Sequence, residues 1–292
     1  MSSYHDIESD MTEVSVYLED SGRAVEAKKS LDDALSIVGA DARSVIGEIA
    51  DEDWKFAYRR HFKTEKVSPR VYTHPPWESV PATADGEIVI TLDPGLAFGT
   101  GKHETTKACL QYIDEISAPL STQHSALSTF LDMGCGSGIL SIAAAKLGFG
   151  AVSAFDIDED AVAATLENAA ANGVTVDARL FALGKGAVTL DSSIEAAKGL
   201  YPDLALQGRA VPESAGSVSF PVPSDVVVAN ILGPLLIAFA DEIAPYAKRE
   251  LVISGILNEL YPEVLAAYAA RGFREVSRKT IGEWTTGRLT RI

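Results

Sequence analysis

The sequence predicts an α/β fold with a mostly parallel sheet, and two patterns support this prediction. From residue 87 to residue 270, short apolar runs of strand length alternate with segments of helical periodicity. Strands that are apolar throughout are typical of parallel sheets, because helices cover both faces of such sheets. Beyond residue 272, apolar and polar residues alternate with no helical segment between them. That alternation predicts an antiparallel hairpin at the edge of the sheet.

The predicted elements follow one another along the chain. Five segments have the length and apolar character of buried strands: EIVITL (87–92), STFLDMG (128–134), AVSAFDID (151–158), DVVVANIL (225–232) and ELVISGIL (250–257). A further strand is expected after Gly173. Helices are predicted for ILSIAAAKLG (139–148) and EDAVAATLENAAANG (159–173), and the hairpin for residues 273–292. Helices that alternate with strands in this way indicate βαβ units.

Residues 1–66 are predicted to form a small, separate α+β domain. TEVSVYL (12–18) has the alternation of a strand, and the run from Arg23 to Val38 carries its apolar residues on one helical face. Residues 67–86 contain four of the 13 prolines, and proline drives the residue before it towards extended backbone. We therefore predict a linker over residues 67–85 and a larger domain over residues 86–292.

Composition excludes several classes of function. The formal net charge of −16 repels phosphate backbones, which argues against direct nucleic-acid binding. This negative charge could serve solubility alone or attract a basic protein partner. No apolar run approaches the roughly 18 residues of a membrane span, and no secretory signal is visible. We expect a cytoplasmic monomer without a membrane partner. Cys109 and Cys135 are too few for a disulfide framework or a zinc–thiolate site, so no metal is expected.

A glycine-rich turn follows the strand that ends near residue 133. Gly134, Gly136 and Gly138 stand at alternate positions between this strand and a helix. Glycine allows a sharp turn and the close approach of a ligand, and parallel sheets bind ligands at the carboxyl ends of their strands. Ile139 stands where a dinucleotide-binding motif requires glycine. The turn therefore favours a nucleotide-like ligand other than NAD, although helix–strand packing alone would also use glycines.

Two acidic residues accompany the turn. Asp132 precedes the first glycine by two positions, and Asp156 ends the next predicted strand, where an acid can accept hydrogen bonds from ribose hydroxyls. The D-x-G-x-G-x-G pattern resembles motif I of class I S-adenosylmethionine-dependent methyltransferases. This resemblance implies S-adenosyl-L-methionine as the cofactor, bound by Asp132, Asp156 and the glycine turn.

Asn230 lies at the carboxyl end of the strand expected beside the glycine-turn strand. The segment NILGP (230–234) resembles the Asn-Pro-Pro-Tyr-type motif of amino-group methyltransferases, with Ile231 and Leu232 in place of the prolines. An asparagine that only caps a buried turn would give the same pattern.

Taken together, these segments resemble the methyltransferase family of large-subunit ribosomal protein 11. Five segments occur in the family's order: DPGLAFGTGKHETT (93–106), LDMGCGSGILSIAAAKLG (131–148), FDIDEDAVAATLENAAANG (155–173), VVVANIL (226–232) and VISGIL (252–257). DEDWKFAYRRHFK (51–63) resembles the segment that precedes the family's catalytic domain. The resemblance implies a seven-stranded class I methyltransferase sheet. It also implies methyl transfer to lysine ε-amino groups of that basic protein, with N-terminal α-amino groups as a further candidate.

The resemblance also implies roles for individual residues. Residues 93–106 would close over the cofactor, and Phe98, Thr100 and Gly101 would pack on it. Asn230 would face the cofactor's methyl group and, with the Thr105 hydroxyl, orient the amine. His103 would either relay a proton or fix the loop by hydrogen bonds.

Two parts of the chain depart from the family pattern. Residues 184–224 form a longer connection than a typical loop of roughly 2–6 residues, even with a helix over residues 192–200. No residue after the preceding strand is assigned to the adenine ring. The amino-terminal segment, which selects the protein substrate in the family, matches poorly beyond its first strand and helix.

The sequence is compatible with three alternatives to different degrees. A similar group of enzymes methylates lysines on the β subunit of electron-transfer flavoprotein. A non-catalytic S-adenosylmethionine-binding regulator would be expected to lack Asn230 or the Thr105 hydroxyl, and both are present. A dehydrogenase is disfavoured by Ile139.

Overall fold

The structure is a computed structural model and describes residues 2–6, 11–15, 21–38, 45, 62–93, 103–122, 129–183 and 220–292. The chain divides into two compact units, Met1–Arg60 and His61–Ile292. Among the described helices, none combines the length and the apolar character needed to cross a membrane.

The described residues of the first unit form two strands and one helix. Strands β1 (Ser2–Asp6) and β2 (Met11–Ser15) pair antiparallel, and helix α1 spans Ser21–Val38. The predicted helix is confirmed, and the predicted strand lies at β2. β1 was not predicted because SSYHD offers no apolar alternation.

The second unit is built on a seven-stranded sheet. Its strands are β6 (Thr129–Met133), β7 (Ala151–Asp156), β8 (Asp177–Leu180), β9 (Ser224–Asn230), β10 (Ala247–Leu257), β11 (Phe273–Ile281) and β12 (Trp284–Arg291). The order across the sheet is β11-β12-β10-β9-β6-β7-β8. β8, β7, β6, β9 and β10 run parallel, and β12 pairs antiparallel with both β10 and β11. The predicted parallel sheet with a carboxyl-terminal hairpin at its edge is confirmed.

Helices cover both faces of this sheet. One face carries α2 (Glu104–Thr122), α3 (Ile139–Lys146) and α4 (Glu159–Ala171), and the other carries α5 (Gly233–Ala238), α6 (Ala240–Ile243) and α7 (Tyr261–Ala269). Alternate residues of each central strand enter opposite cores: Val226 and Val228 of β9 pack under α2, whereas Val227 and Ala229 pack on the other side. This double burial explains why the strands are apolar throughout.

The predicted linker is wrong for its first half. Strands β3 (Glu65–Lys66), β4 (Val71–His74) and β5 (Ile88–Thr91) form a separate three-stranded sheet in the order β3-β4-β5. EIVITL is therefore a strand, but it belongs to this small sheet. Prolines favour extended backbone without stating whether it pairs, and here Pro69 and Pro75 flank a paired strand. Residues 75–85 contain neither helix nor strand.

A buried ion pair attaches this segment to α2. Asp114 is 4% exposed, and its carboxylate accepts hydrogen bonds from Arg70 Nε at 2.6 Å and from Ser68 Oγ at 2.7 Å. Arg70 Nη2 also donates to the Ser117 hydroxyl at 2.7 Å. The Asp114 carboxylate obtains these hydrogen bonds from Ser68 and Arg70, in the segment that leads into β4. This segment is therefore part of the second unit.

We expect Arg70→Ala to destabilise the protein by roughly 2–4 kcal/mol, because it leaves a buried carboxylate without its cation. Lys63→Ala is a suitable control, since it removes an exposed ion pair to Glu78 at 3.1 Å that contributes about 0–1 kcal/mol. Urea unfolding followed by circular dichroism measures both. Equal unfolding midpoints for the two variants would show that the Arg70 pair does not hold the segment in place.

Candidate active site

The glycine turn is held in a conformation that other residues rarely adopt. Gly134, Gly136 and Gly138 have φ angles of 75°, 52° and 79°. A Cβ atom at Gly138 would lie 3.0 Å from the main chain of Thr165, and one at Gly134 would lie 2.7 Å from Ile231 Cγ2. Packing therefore accounts for part of the glycine requirement, as the sequence allowed. Side chains of α4 also hold the turn from below: Thr165 Oγ1 donates to Gly136 O at 3.0 Å, and Asn168 Nδ2 donates to Ser137 O at 2.9 Å.

Asp156 ties the turn to the neighbouring strand. One of its carboxylate oxygens accepts from Gly136 N at 3.0 Å, and the other accepts from Asp158 N at 3.1 Å. A carboxylate offers about four acceptor positions, and Asp156 is half-buried. Acceptor capacity remains at the carboxyl end of β7, where the sequence predicted a partner for ribose hydroxyls.

Asp132 is fully buried beneath the turn. Its Oδ2 accepts from Ser141 Oγ at 2.7 Å and from Ser141 N at 3.2 Å. Its Oδ1 has no hydrogen-bond partner among the described residues. Burial raises the pKa of Asp132 to about 7, the negative charge of Asp156 adds to the rise, and the Ser141 hydrogen bonds oppose it. A buried, unpaired carboxylate oxygen is costly, so a ligand that brings a donor or a cation to Oδ1 would be stabilised here.

Asn230 ends β9, the strand next to β6. Its side chain is half-buried and makes no hydrogen bond within the described part of the chain. The main chain that follows lies directly on Gly255 of β10, where φ is 79° and a Cβ would come within 2.3 Å of the Ile231 carbonyl oxygen. Sequence reasoning missed Gly255, although a glycine inside a strand pattern signals a bulge or a close backbone approach.

Thr105 lies in the first turn of α2 and is 5% exposed. Its hydroxyl lies 2.8 Å from His103 Nδ1, and its N–H donates to the same nitrogen at 3.4 Å. The His103 ring meets the Trp284 ring edge-on, with centroids 5.2 Å apart. Ser254 Oγ lies 3.4 Å from the Thr105 carbonyl oxygen. His103 and Thr105, two of the predicted site residues, are thus in contact with each other, and the main chain of Thr105 is in contact with β10.

Strand register brings these groups to one face of the sheet. Asp132 is opposite Val228 on β9, Asn230 follows two residues later, and Ser254 on β10 is opposite Asn230. Side chains two residues apart point the same way. Asp132, Asn230 and Ser254 therefore share the face that α2 covers, at the carboxyl ends of their strands.

Phe98, Thr100 and Gly101 lie outside the described residues, as do residues 184–219. The chain just before the loop is described, and it is anchored by Asn172. The Asn172 amide accepts from Thr91 N at 2.9 Å and donates to Thr91 O at 2.7 Å. Sequence reasoning missed this contact, because the Asn-Gly pair after α4 signals only a helix end.

A seven-stranded sheet with this order and an antiparallel β12, a glycine turn after β6 and an acid at the end of β7 together define a class I methyltransferase. The family model described as ribosomal protein L11 methyltransferase (PrmA) matches residues 2–197 and 206–291. The chain belongs to this family.

Curated relatives and a solved structure agree with the assignment. The chain is 35% identical over 281 residues to the ribosomal protein L11 methyltransferase of Herpetosiphon aurantiacus, an alignment that covers 93% of this chain and 80% of that protein. It is 34% identical over 241 residues to the protein of that name from Caldanaerobacter subterraneus, covering 82% of this chain and 65% of the relative, just under two thirds of its length. The crystal structure of ribosomal protein L11 methylase from Lactobacillus delbrueckii is 26% identical, with a TM-score of 0.58 over 79% of this chain and 99% of that one.

The raised pKa of Asp132 predicts a pH dependence of stability. An unfolded aspartate has a pKa of about 3.9, so between about pH 4 and pH 7 the native carboxyl holds a proton that the unfolded one has lost. The free energy of unfolding should fall as pH rises through this window and level off above pH 7. The contribution is up to about 4 kcal/mol.

Asp132→Asn removes this titration at nearly constant shape. Urea unfolding of both ligand-free proteins from pH 4.5 to 8 should show the native protein losing stability relative to the variant as pH rises. If the difference in free energy of unfolding between the two proteins does not change with pH, Asp132 is ionised in the native protein over the whole range from pH 4.5 to 8.

Proposed function

We propose that the protein is a protein-lysine N-methyltransferase that uses S-adenosyl-L-methionine and acts on large-subunit ribosomal protein L11. N-terminal α-amino groups of that protein are further candidate acceptors. One observation carries the proposal: the groups suited to a cofactor and the pair suited to an amine occupy the same face and the same end of the sheet. Family membership and the names of the relatives support the substrate over electron-transfer flavoprotein.

The described residues fit the cofactor. Within the described part of the chain, Asp132 has a buried oxygen without a partner, and Asp156 retains acceptor positions. These residues would hold S-adenosyl-L-methionine together with Gly134, Gly136 and Gly138, and Phe98, Thr100 and Gly101 would complete its site from the loop. When bound, this cofactor supplies a methyl group on a sulfonium, which is an already activated donor. The chain's task is then mainly to position the acceptor, which can contribute roughly 7–11 kcal/mol.

The acceptor site has to favour a neutral amine. A lysine amine has a pKa of about 10.4 and is mostly protonated at neutral pH. Uncharged acceptors suit this task, because a carboxylate at the same place would stabilise the ammonium form. The Asn230 amide oxygen and the Thr105 hydroxyl meet this requirement, and the described structure leaves the Asn230 side chain available for a ligand.

His103 can receive the proton that the amine loses. In the tautomer with Nδ1 unprotonated, Nδ1 accepts from the Thr105 N–H at 3.4 Å, and the Thr105 hydroxyl can donate to it at 2.8 Å. The lone pairs of that hydroxyl then remain for an amine N–H. The side chain of His103 is 37% exposed, so a proton passed to it can reach solvent. The same hydrogen bonds anchor the start of α2, so anchor and relay are compatible roles.

We expect Asn230→Ala and Thr105→Val to lower kcat for methylation of L11 by about 10²-fold or more, because they remove contacts made mainly in the transition state. The Kd for S-adenosylhomocysteine should change by less than about threefold, since binding this product does not require the acceptor site. Thr106→Val is the matched control, because Thr106 is the adjacent buried threonine of α2. Radiolabel transfer and calorimetry provide the two measurements.

The rate should also rise with pH, because the reactive form of the substrate is the neutral amine. His103→Ala would keep this dependence if His103 is only an anchor. Unchanged kcat in Asn230→Ala would contradict the proposed acceptor site, and failure of the native protein to label L11 would contradict the substrate.

We further propose that the first unit selects the protein substrate, as the resemblance implied. The net charge of −16 is complementary to a basic ribosomal protein. The monomeric state and the cytoplasmic location stay predictions.

A chain that begins at His61, where the second compact unit starts, is expected to bind S-adenosylhomocysteine with native affinity. It should methylate L11 at least about tenfold more slowly, because the contacts that bring the substrate to the site are gone. A shorter chain that begins at Pro81 would test this role less well, because it lacks β4 and the ion pair between Arg70 and Asp114 and could therefore lose stability. Full activity of the His61 chain would refute the recognition role.

A further inference from the structure

Ser254 is a buried polar residue that neither the sequence nor the proposed chemistry has assigned a role. It is 0% exposed and lies on β10, directly opposite Asn230 in the parallel register with β9. The pairing of β10 with β12 is interrupted between Ile253 and Ile256, so Ser254 stands at a bulge. Bulges often redirect a side chain next to an active site.

The Ser254 hydroxyl contacts two other elements. It lies 2.6 Å from Thr286 Oγ1 on β12 and 3.4 Å from the Thr105 carbonyl oxygen on α2. A hydroxyl has one hydrogen and two lone pairs, so Ser254 can contact both partners at once and join α2 to β10 and β12.

Gly255, the residue after Ser254 on β10, constrains Asn230, the other residue of the proposed acceptor site. Gly255 allows the main chain of Ile231 to lie against β10. This contact constrains the position of Asn230, the preceding residue, at the end of β9. Asn230 and Thr105 come from elements far apart in the sequence, and the Ser254–Gly255 bulge is in contact with the backbone of both segments.

We propose that Ser254 is a positioning residue for methyl transfer, which sets Thr105 on α2 at the correct distance from Asn230 on β9. This inference rests on the proposed function. Ser254 does not touch the amine. It acts by keeping the first turn of α2 in one place, so that the Thr105 hydroxyl and the Asn230 amide oxygen hold the same nitrogen.

The test compares Ser254→Ala with Ser224→Ala. Ser224 is also a buried serine, 3% exposed, and donates to the Val222 carbonyl oxygen at 3.0 Å, but it lies at the amino end of β9, away from the site. Removal of the hydroxyl should lower the melting temperature in both variants. Only Ser254→Ala should lower kcat for L11 methylation, by about 10- to 100-fold, because small displacements of positioning groups have effects of that size. The Kd for S-adenosylhomocysteine should stay within about twofold, as expected for an interaction that acts on the transition state.

A second measurement does not depend on activity. Amide hydrogen exchange read by mass spectrometry should rise in residues 103–110 of Ser254→Ala and stay native there in Ser224→Ala, because local opening follows the loss of local contacts. If Ser254→Ala does not fold, Thr286→Val removes the partner of the same hydroxyl and should give a smaller loss of kcat with unchanged Kd.

The outcomes separate the two proposals. Native kcat and native exchange in Ser254→Ala, or equal losses of kcat in Ser254→Ala and Ser224→Ala, would overturn the positioning role while leaving the proposed function intact. Absence of L11 methylation by the native protein would overturn the proposed function, and the exchange measurement would still decide whether Ser254 holds α2.

Discussion

The candidate site depends on the parallel register of β6, β9 and β10. This register places Asp132, Asn230 and Ser254 at the carboxyl ends of three adjacent strands and on one face of the sheet. A shift of one residue in any pair would turn a side chain to the opposite core, because side chains alternate along a strand. The apolar residues of the same strands enforce the register, since each face is packed against its own helices.

The site combines tight packing with incomplete polar pairing. The glycine turn and Gly255 allow close backbone contacts. By contrast, among the described residues Asp132 keeps a buried carboxylate oxygen without a partner, and the half-buried Asn230 amide makes no hydrogen bond to another residue. Unsatisfied groups lower stability and are expected mainly at functional sites. Their position at the strand ends is the physical reason to place the ligands of this methyltransferase there.

Much of the site could be predicted from local patterns. The glycine turn, Asp132 and Asp156 are recognisable because they occupy fixed positions around one strand–turn–helix unit. His103 and Thr105 were likewise recognised as candidate site residues, through the resemblance of residues 93–106, although their mutual contact was not predicted. The linker prediction was wrong for its first half because prolines indicate extended backbone without stating whether it pairs. Here β4 pairs with β3 and β5, and the carboxylate of Asp114 is paired with Arg70, 44 positions earlier in the chain.

The sequence by itself determined the fold class, the family and the residues with suitable chemistry, because these follow from composition and short-range spacing. It did not determine every element, since β1 was not predicted and β4 lies in the predicted linker. Only the tertiary structure decided which of those residues meet. Asn172 pairs with Thr91 across 81 positions, and Ser254 contacts Thr105 across 149. Such contacts depend on strand order and on the face that each side chain occupies, and neither property is encoded in the pattern of a single segment.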